Sequence, residues 1–128
     1  MKKPLEEANL RALILLEALD GSAPLIETLA KKGISAEVKT DPAAALDQCR
    51  ANPPHLAIVA SNLGAMTGTQ FLAELLKVSW TTATILIADE DEEAVHDLTE
   101  GLGILGSVRS TDDVEHLERL VEAFLEIA

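Results

Sequence analysis

The stretch PHLAIVASNLGAMTG, at residues 54–68, decides the fold of this chain. Its first half is a near-continuous apolar run, which is typical of a parallel strand that is covered on both faces. Its second half is a loop of small and polar residues, as expected at the carboxyl edge of an α/β sheet, where ligands bind. No carboxylate occurs between Asp47 and Glu74, although Asp and Glu make up 22 of the 128 residues. This segment therefore brings no acid to the edge where chemistry is expected.

The composition indicates one globular domain. A chain of 128 residues, 48% of them apolar, buries on the order of two-thirds of the surface that its unfolded form exposes. We assign residues 10–128 to that domain and residues 1–9 to an N-terminal tail. The aromatic residues are only Phe71, Trp80 and Phe124, so stacking platforms for bases or sugars are nearly excluded. Cys49 is the single cysteine, so no disulfide can form within the chain.

The formal net charge of −12 is concentrated in the last third of the chain. Residues 1–88 carry nine acids and eight basic residues, whereas residues 89–128 carry thirteen acids and two arginines. Such a charge argues against nucleic acids and anionic membranes as partners. The apolar run at residues 10–16 is too short and too interrupted for a targeting or spanning segment. A cytoplasmic location is therefore expected.

Apolar strands alternate with amphipathic helices five times. The predicted strands cover residues 11–16, 35–40, 55–61, 84–88 and 104–108. The first helix is framed by Ser22, Pro24 and Gly33, and the second begins with Asp41 as N-cap and Pro42. The other helices are predicted at residues 70–78, within 91–100, and from residue 110 or 111 onwards. Strand spacings of about 20 to 28 residues suit right-handed βαβ units and a doubly wound parallel sheet.

The apolar spacing predicts which side chains the last three helices bury. The third helix is expected to bury Phe71, Leu72, Leu75 and Leu76. The fourth is expected to place Val95, Leu98 and Leu102 on one side. The last carries one apolar stripe, formed by Val114, Leu117, Leu120, Val121, Phe124 and Leu125.

From Leu10 to Leu125 the sequence resembles a CheY-like receiver domain of two-component response regulators. The resemblance rests on the order and lengths of the elements and on the loop NLGAMTG at residues 62–68. That loop is similar to the family's loop NLPGMDG, which follows the third strand. The resemblance implies a flavodoxin-like (βα)5 fold, with a five-stranded parallel sheet in the order 2-1-3-4-5 inside a three-layer sandwich.

The resemblance also implies where an active receiver would carry its phosphorylation site. Counting back from Gly68 puts Ala60 at the position of the phosphate-accepting aspartate. The other vestigial positions are Leu16 and Glu17 for the Mg²⁺-binding acids, Ile87 for a Thr or Ser, Gly106 for the switch aromatic, and Arg109-Ser110 for a Lys-Pro pair. A methyl group accepts no phosphoryl group. We therefore expect a pseudo-receiver that is not an enzyme, needs no cofactor or metal, and signals without phosphorylation.

Two alternatives stay open at this site. In the first, a small anion binds beside Arg109 in place of phosphate. In the second, Glu17 with Asp89 and Asp91 holds Mg²⁺, a cation that prefers oxygen ligands, and the chain is a phosphoryl-processing enzyme. The competing interpretation of residues 89–93 is an acidic loop that caps the fourth helix, because acids are favourable near a helix N-terminus.

The remaining candidate residues favour structural roles. The histidines at 55, 96 and 116 have no ligand spacing and are interpreted as surface or boundary residues. Cys49 is predicted to be a small core residue, and Ser61 to bond to loop backbone. Residues 20–22 are interpreted as a turn that caps the first helix.

The acidic last third is the best candidate for a functional surface. By resemblance, the fourth helix, fifth strand and fifth helix form the face on which receivers dimerise or meet partners. The predicted partner face comprises Val95, Glu100, Gly106, Asp112, Glu115, Glu118 and Glu122. Its charge would steer a basic protein partner, with a homodimer as another option.

Overall fold

The computed structural model describes residues 10–127 and contains a five-stranded parallel sheet with helices on both faces. The strands are β1 (Arg11–Leu15), β2 (Ser35–Lys39), β3 (Leu56–Ala60), β4 (Ala83–Ile87) and β5 (Gly106–Val108). Their order is β2-β1-β3-β4-β5, which confirms the predicted fold. The predicted tail at residues 1–9 lies outside the described residues.

Five helices connect and follow the strands. They are α1 (Ala23–Lys31), α2 (Pro42–Ala51), α3 (Gly68–Val78), α4 (Glu92–Thr99) and α5 (Val114–Ile127). The predicted cap of α2 is confirmed, since Asp41 accepts a hydrogen bond from the N–H of Ala43 at 3.1 Å. Ser22 is the N-cap residue of α1, as predicted, and its carbonyl accepts from the N–H of Ile26 at 3.0 Å, but its side chain makes no cap bond to the described residues. Among residues 10–127, no helix has both the length and the apolar character needed to cross a membrane.

The start of α3 differs from the prediction, which placed it at residue 70. The helix begins at Gly68 because Thr67 and Gln70 form a capping box. The hydroxyl of Thr67 accepts from the N–H of Gln70 at 3.1 Å, and the side-chain oxygen of Gln70 accepts from the N–H of Thr67 at 2.9 Å. This box fixes the direction in which the chain leaves the loop after β3.

The last strand and helix also begin later than predicted. β5 begins at residue 106 instead of 104 and pairs with β4 through only three residues. α5 begins at Val114 instead of residue 110 or 111. The preceding residues form a turn in which the N–H of Arg109 donates to Oδ2 of Asp113 at 3.1 Å. The edge of the sheet next to α4 and α5 is therefore short.

Successive strand residues alternate between two apolar layers. Ile14 and Ile58 face the layer that α1 and α5 cover, whereas Leu13 and Val59 face the layer that α2, α3 and α4 cover. All four side chains are at most 3% exposed. Burial on both faces explains why these strands are apolar throughout.

Two predicted core residues are exposed instead. Leu76 is 40% and Leu98 is 49% exposed. A helix that packs on a sheet buries one stripe only, and in α4 that stripe contains Val95 and Thr99, which are one turn apart. Leu98 therefore lies on the flank of α4.

Candidate functional site

The loop after β3 is a well-bonded turn at the carboxyl edge of the sheet. Oδ1 of Asn62 accepts a hydrogen bond from the N–H of Gly64 at 3.0 Å, and the N–H of Leu63 donates to the carbonyl of Met66 at 3.0 Å. Gly64 has a φ of 80°, a conformation that favours glycine. The side chain of Leu63 is 3% exposed and anchors the loop in the core.

Gly68 brings this loop back onto the end of β3. Its N–H donates to the carbonyl of Ser61 at 2.8 Å. A Cβ atom on Gly68 would overlap the carbonyl oxygen of Ala60 and would lie 3.0 Å from Cδ1 of Leu86. Ser61 in turn joins β3 to β4, because its N–H donates to the carbonyl of Ile87 at 2.9 Å. The close approach requires glycine at position 68 and fixes Ala60 at the base of the loop.

Three of the residues predicted for the vestigial site come from three strands and lie at this edge. Ala60 is in register with Ile87 of β4, and Leu16 directly follows β1. Leu16 is 4% and Ile87 is 8% exposed, so both side chains pack into the apolar layer beneath α1 and α5. Mg²⁺ needs oxygen ligands, and these three side chains offer only methyl and methylene groups.

The acidic residues near the edge, Glu17, Asp89 and Asp91, are exposed and follow β1 and β4. Glu17 is exposed, and its Oε2 atom would lie 3.4 Å from a Cβ on Gly64. Asp91 accepts from the N–H of Ala94 at 2.8 Å and caps α4, as the capping interpretation predicted. No group of three or more His, Cys, Asp or Glu side chains among the described residues could hold a metal ion. The described residues thus provide no group of three such ligands for the Mg²⁺ alternative with Glu17, Asp89 and Asp91.

The loop after β5 is organised by serine, threonine and aspartate. Ser110 and Asp112 form a short side-chain hydrogen bond. A Cβ atom on Gly21 would lie 2.8 Å from Oγ1 of Thr111, so this loop packs against the loop after β1. Every described peptide bond is trans. Arg109 is exposed beside this turn.

A cavity of about 330 Å³ lies between α4 and α5, alongside β5. We call it the β5 groove; it is lined by Val95, His96, Thr99, Ile104, Gly106, Ser107 and His116. Two predicted partner-face residues, Val95 and Gly106, belong to it. It also brings His96 and His116 together from two separate helices.

Four acidic residues are close in sequence to residues that line the β5 groove: Glu93, Glu100, Asp112 and Asp113. Glu93 lies one turn before His96 on α4, and Glu100 directly follows the helix with φ −58° and ψ 130°. The other two precede α5 close to His116, whose Nδ1 atom is 3.6 Å from Oδ2 of Asp113. Both helices beside the groove therefore carry or adjoin acidic residues in the sequence.

Other acids of the predicted partner face lie on another side of α5. Oε2 of Glu122 is 2.9 Å from Nζ of Lys32 in α1. The hydrogen bond that Lys32 donates to Glu122 raises the pKa of Lys32 above its usual value, and the charge of Glu118 adds to the effect. Glu118 and Glu122 thus flank the contact between α1 and α5, whereas Leu120 faces β5. The structure divides the predicted partner face between two sides of α5.

The β5 groove was not predicted from the sequence. Its two histidines are 20 residues apart and showed no ligand spacing. The sequence feature that could have indicated the groove was Gly106, a strand residue without a side chain, which is followed by the small residue Ser107. A strand interior that lacks side chains marks a place where another group approaches closely.

Cys49 and His55 have structural roles, as predicted. Cys49 is 1% exposed, and burial raises the pKa of its thiol. Nδ1 of His55 accepts a hydrogen bond from the N–H of Arg11 at 3.1 Å, at the end of the sheet where the strands begin. Neither residue contributes to the β5 groove.

CheY-like receiver domains are among the solved structures that share this fold. A two-component response regulator from Clostridium difficile has a TM-score of 0.79 at 20% identity, over 91% of this chain and 96% of that one. A receiver domain protein (CheY-like) from Methanospirillum hungatei JF-1 has a TM-score of 0.77 at 18% identity, over 91% and 94%. The chemotaxis response regulator CheY4 of Vibrio cholerae has a TM-score of 0.73 at 18% identity, over 87% and 98%. No protein-family model and no curated protein matches the sequence.

These comparisons establish the class of fold. The chain has the flavodoxin-like fold of CheY-like receivers, with five parallel strands in the order 2-1-3-4-5. At identities of 18 to 20% the similarity concerns the fold. Function must therefore be argued from the residues of this chain.

Proposed function

We propose that this chain is a receiver-like signalling module that binds a protein partner without being phosphorylated. The observation that carries the proposal is Ala60 at the carboxyl end of β3, beneath the loop that Gly68 folds back. The fold provides the scaffold of a receiver, and the side chain at this position cannot accept a phosphoryl group.

The neighbours of Ala60 support the same proposal. Phosphoryl transfer depends on a cation that neutralises the developing charge on the phosphoryl oxygens. Leu16 and Ile87 are buried apolar side chains at the edge where such a cation and phosphoryl group would have to bind. A phosphoryl donor would therefore meet neither a nucleophile nor a metal ion held by these two residues.

Treatment with acetyl phosphate and Mg²⁺ tests the absence of phosphorylation. Intact-mass spectrometry is expected to show an unmodified chain. Addition of Mg²⁺ and then beryllofluoride, a mimic of phosphorylated aspartate, is expected to leave the amide NMR signals of Ser61, Gly64 and Gly68 in place. A receiver domain with its aspartate intact serves as the positive control. A phosphorylated chain, or a shift of these signals with beryllofluoride, would overturn the proposal.

The partner is proposed to dock on the surface around the β5 groove. Residues 89–128 carry thirteen acids and two arginines, and the resulting negative field accelerates and orients the approach of a basic partner. The net charge of −12 argues in the same direction against nucleic acid and membrane. The proposed partner is thus a basic protein segment, and a second copy of the chain is the competing option.

No specific observation favours the two alternatives. A small anion near Arg109 would have to bind beside Leu16 and Ile87, whose side chains are buried and apolar. A Mg²⁺-dependent enzyme would have to assemble its ligands from exposed loop residues. A cytoplasmic location remains a prediction from the sequence.

A further inference from the structure

A second groove opens at the end of the sheet where the strands begin. Its volume is about 450 Å³. We call it the amino-end groove; it is lined by Pro53, Pro54, His55, Thr81, Ala83, Phe124 and Ile127. These residues belong to the segments that lead into β3 and β4 and to the last turns of α5. Because the strands are parallel, the groove lies at the opposite end of the sheet from Ala60 and the loop after β3.

The surface at this groove is apolar. Ile127 is 76% exposed, whereas Phe124, three residues earlier on α5, is 5% exposed and belongs to the core. Trp80 directly precedes the lining residue Thr81 and is 79% exposed. Large apolar side chains that are exposed around a groove are typical of a docking site.

The described part of the chain begins beside the amino-end groove. Leu10 is 5% exposed and packs in the same apolar cluster as Phe124. Arg11 and the lining residue His55 are joined by two hydrogen bonds. The N–H of Arg11 donates to Nδ1 of His55 at 3.1 Å, and the carbonyl of Arg11 accepts from the N–H of His55 at 2.9 Å. Residues 1–9 therefore join the domain within about 5 Å, one strand spacing, of the groove wall.

The sequence of residues 1–9, MKKPLEEAN, is long enough to reach across this groove. Leu5 comes five residues before Leu10, and five residues of extended chain span about 17 Å. The lining residue Ala83 lies on β4, which is two strands and therefore about 10 Å from β1. The side chain of Leu5 can thus reach the apolar lining.

The charges of the two parts are complementary. Residues 123–128, at the end of α5, contain Glu126 and no lysine or arginine. The carbonyl groups at the carboxyl end of a helix carry a partial negative charge, which nearby lysines stabilise. Lys2 and Lys3 come shortly before Leu5 in the sequence, so they can reach the end of α5 when Leu5 occupies the groove.

We propose that residues 1–9 dock in the amino-end groove of their own chain, with Leu5 against Phe124 and Ile127 and with Lys2 and Lys3 at the carboxyl end of α5. This inference is independent of the proposed function, which concerns the opposite end of the sheet. A covalently attached segment binds at a high effective concentration, which favours it over a separate molecule. A second copy of the chain fits less well, because each copy carries a net charge of −12.

Nuclear Overhauser contacts in the full chain test the inference. With isotope-labelled methyl groups and aromatic rings, contacts are expected from the methyl groups of Leu5 to the ring of Phe124 and to the methyl groups of Ile127. Contacts of Leu5 that are restricted to its neighbours in the sequence would overturn the docking.

Two truncations within residues 1–9 provide a matched pair. Leu5→Ala removes the apolar group that would fill the groove and is expected to shift the amide signals of Ala83 and Ile127. Glu7→Ala shortens a side chain of the same segment but keeps Leu5, so it is expected to leave these signals in place. Equal shifts in the two variants, or no shift in either, would overturn the role of Leu5.

A mixture of labelled and unlabelled chains separates the possible occupants of the groove. Contacts of Leu5 that occur within one chain and persist on dilution support the inference. Contacts between a labelled and an unlabelled chain, together with a dimer in sedimentation equilibrium, would overturn it and assign the groove to a second copy. Neither result depends on acetyl phosphate or on ligands of the β5 groove, so failure of this inference is distinguishable from failure of the proposed function.

Discussion

The side chain of Leu120 lies directly against the backbone of Gly106: a Cβ atom on Gly106 would be 2.6 Å from Cδ2 and 3.1 Å from Cδ1 of Leu120. This contact joins α5 to the edge strand of the sheet. The sequence resemblance places the switch aromatic of receivers at position 106. In this chain no aromatic side chain can be accommodated there unless Leu120 moves.

Gly106→Ala is expected to destabilise the protein. The new methyl group would force Leu120 aside, and such overpacking costs about 1–3 kcal/mol of the free energy of unfolding. Urea unfolding followed by circular dichroism measures the effect. Leu120→Ala removes the obstacle, so the cost of Gly106→Ala should shrink in the double variant. Additive costs would contradict the contact.

Gly68→Ala is expected to be more damaging than Gly106→Ala. Its methyl group would overlap the carbonyl oxygen of Ala60, which is backbone and cannot rotate away as the Leu120 side chain can. We expect a loss of about 2 kcal/mol or more in the free energy of unfolding, from the same urea measurement. A smaller loss of unfolding free energy than in Gly106→Ala would show that the loop after β3 can shift at low cost.

The stability of the protein is expected to fall as the pH rises above the usual thiol pKa of 9.0, because burial raises the pKa of Cys49. Below that value the folded and unfolded states both keep the proton. Above it the unfolded state loses its proton first and is favoured, until the pH passes the pKa of the folded state. Thermal unfolding midpoints at several alkaline pH values measure this slope.

Cys49→Ala is the control for that pH dependence. Its thermal midpoint should fall less steeply above pH 9.0 than that of the native chain, because the titrating thiol is gone. A cavity cost lowers the midpoint of this variant at every pH. Identical slopes in the two proteins would contradict a contribution from Cys49.

Ala60→Asp alone is not expected to create a phosphorylation site. The new carboxylate would lie beside Leu16 and Ile87, which supply no oxygen for a cation. After acetyl phosphate and Mg²⁺, intact-mass spectrometry should show no phosphorylated chain. Ala60→Asn has the same shape without the charge and controls for changes in stability. Phosphorylation of Ala60→Asp would show that the rest of the site is still competent.

Reversing the charge at α4 is expected to weaken the binding of basic ligands selectively. The double variant Glu93→Lys, Glu100→Lys reverses two charges on and next to α4, and we expect at least about a tenfold loss of affinity for a lysine-rich peptide. The loss should diminish as salt is added, because salt screens exposed charges. Isothermal titration at two salt concentrations measures both effects.

Glu115→Lys with Glu126→Lys is the matched control for this charge reversal. It changes the net charge equally, on exposed positions of α5 instead of beside α4. Its effect on affinity should be much smaller. Equal losses in the two double variants would mean that overall charge, and not the acids at α4, attracts the peptide.

The sequence by itself determined the architecture of this protein. The apolar runs at residues 55–61 and 84–88 required strands that are covered on both faces, and the helical spacing between them required crossovers on a parallel sheet. The loop at residues 62–68 placed Ala60 at the carboxyl edge. These features are local periodicity and spacing, which can be recognised without coordinates.

Only the tertiary structure decided which surfaces are available. Leu76 and Leu98 follow the apolar spacing of their helices but lie outside the stripes that meet the sheet. Glu122 was grouped with Gly106 by sequence, yet it pairs with Lys32 on the far side of α5. His96 and His116 meet across a groove that no local pattern indicates. Such placements depend on the rotation of each helix about its axis, and packing between distant segments sets that rotation.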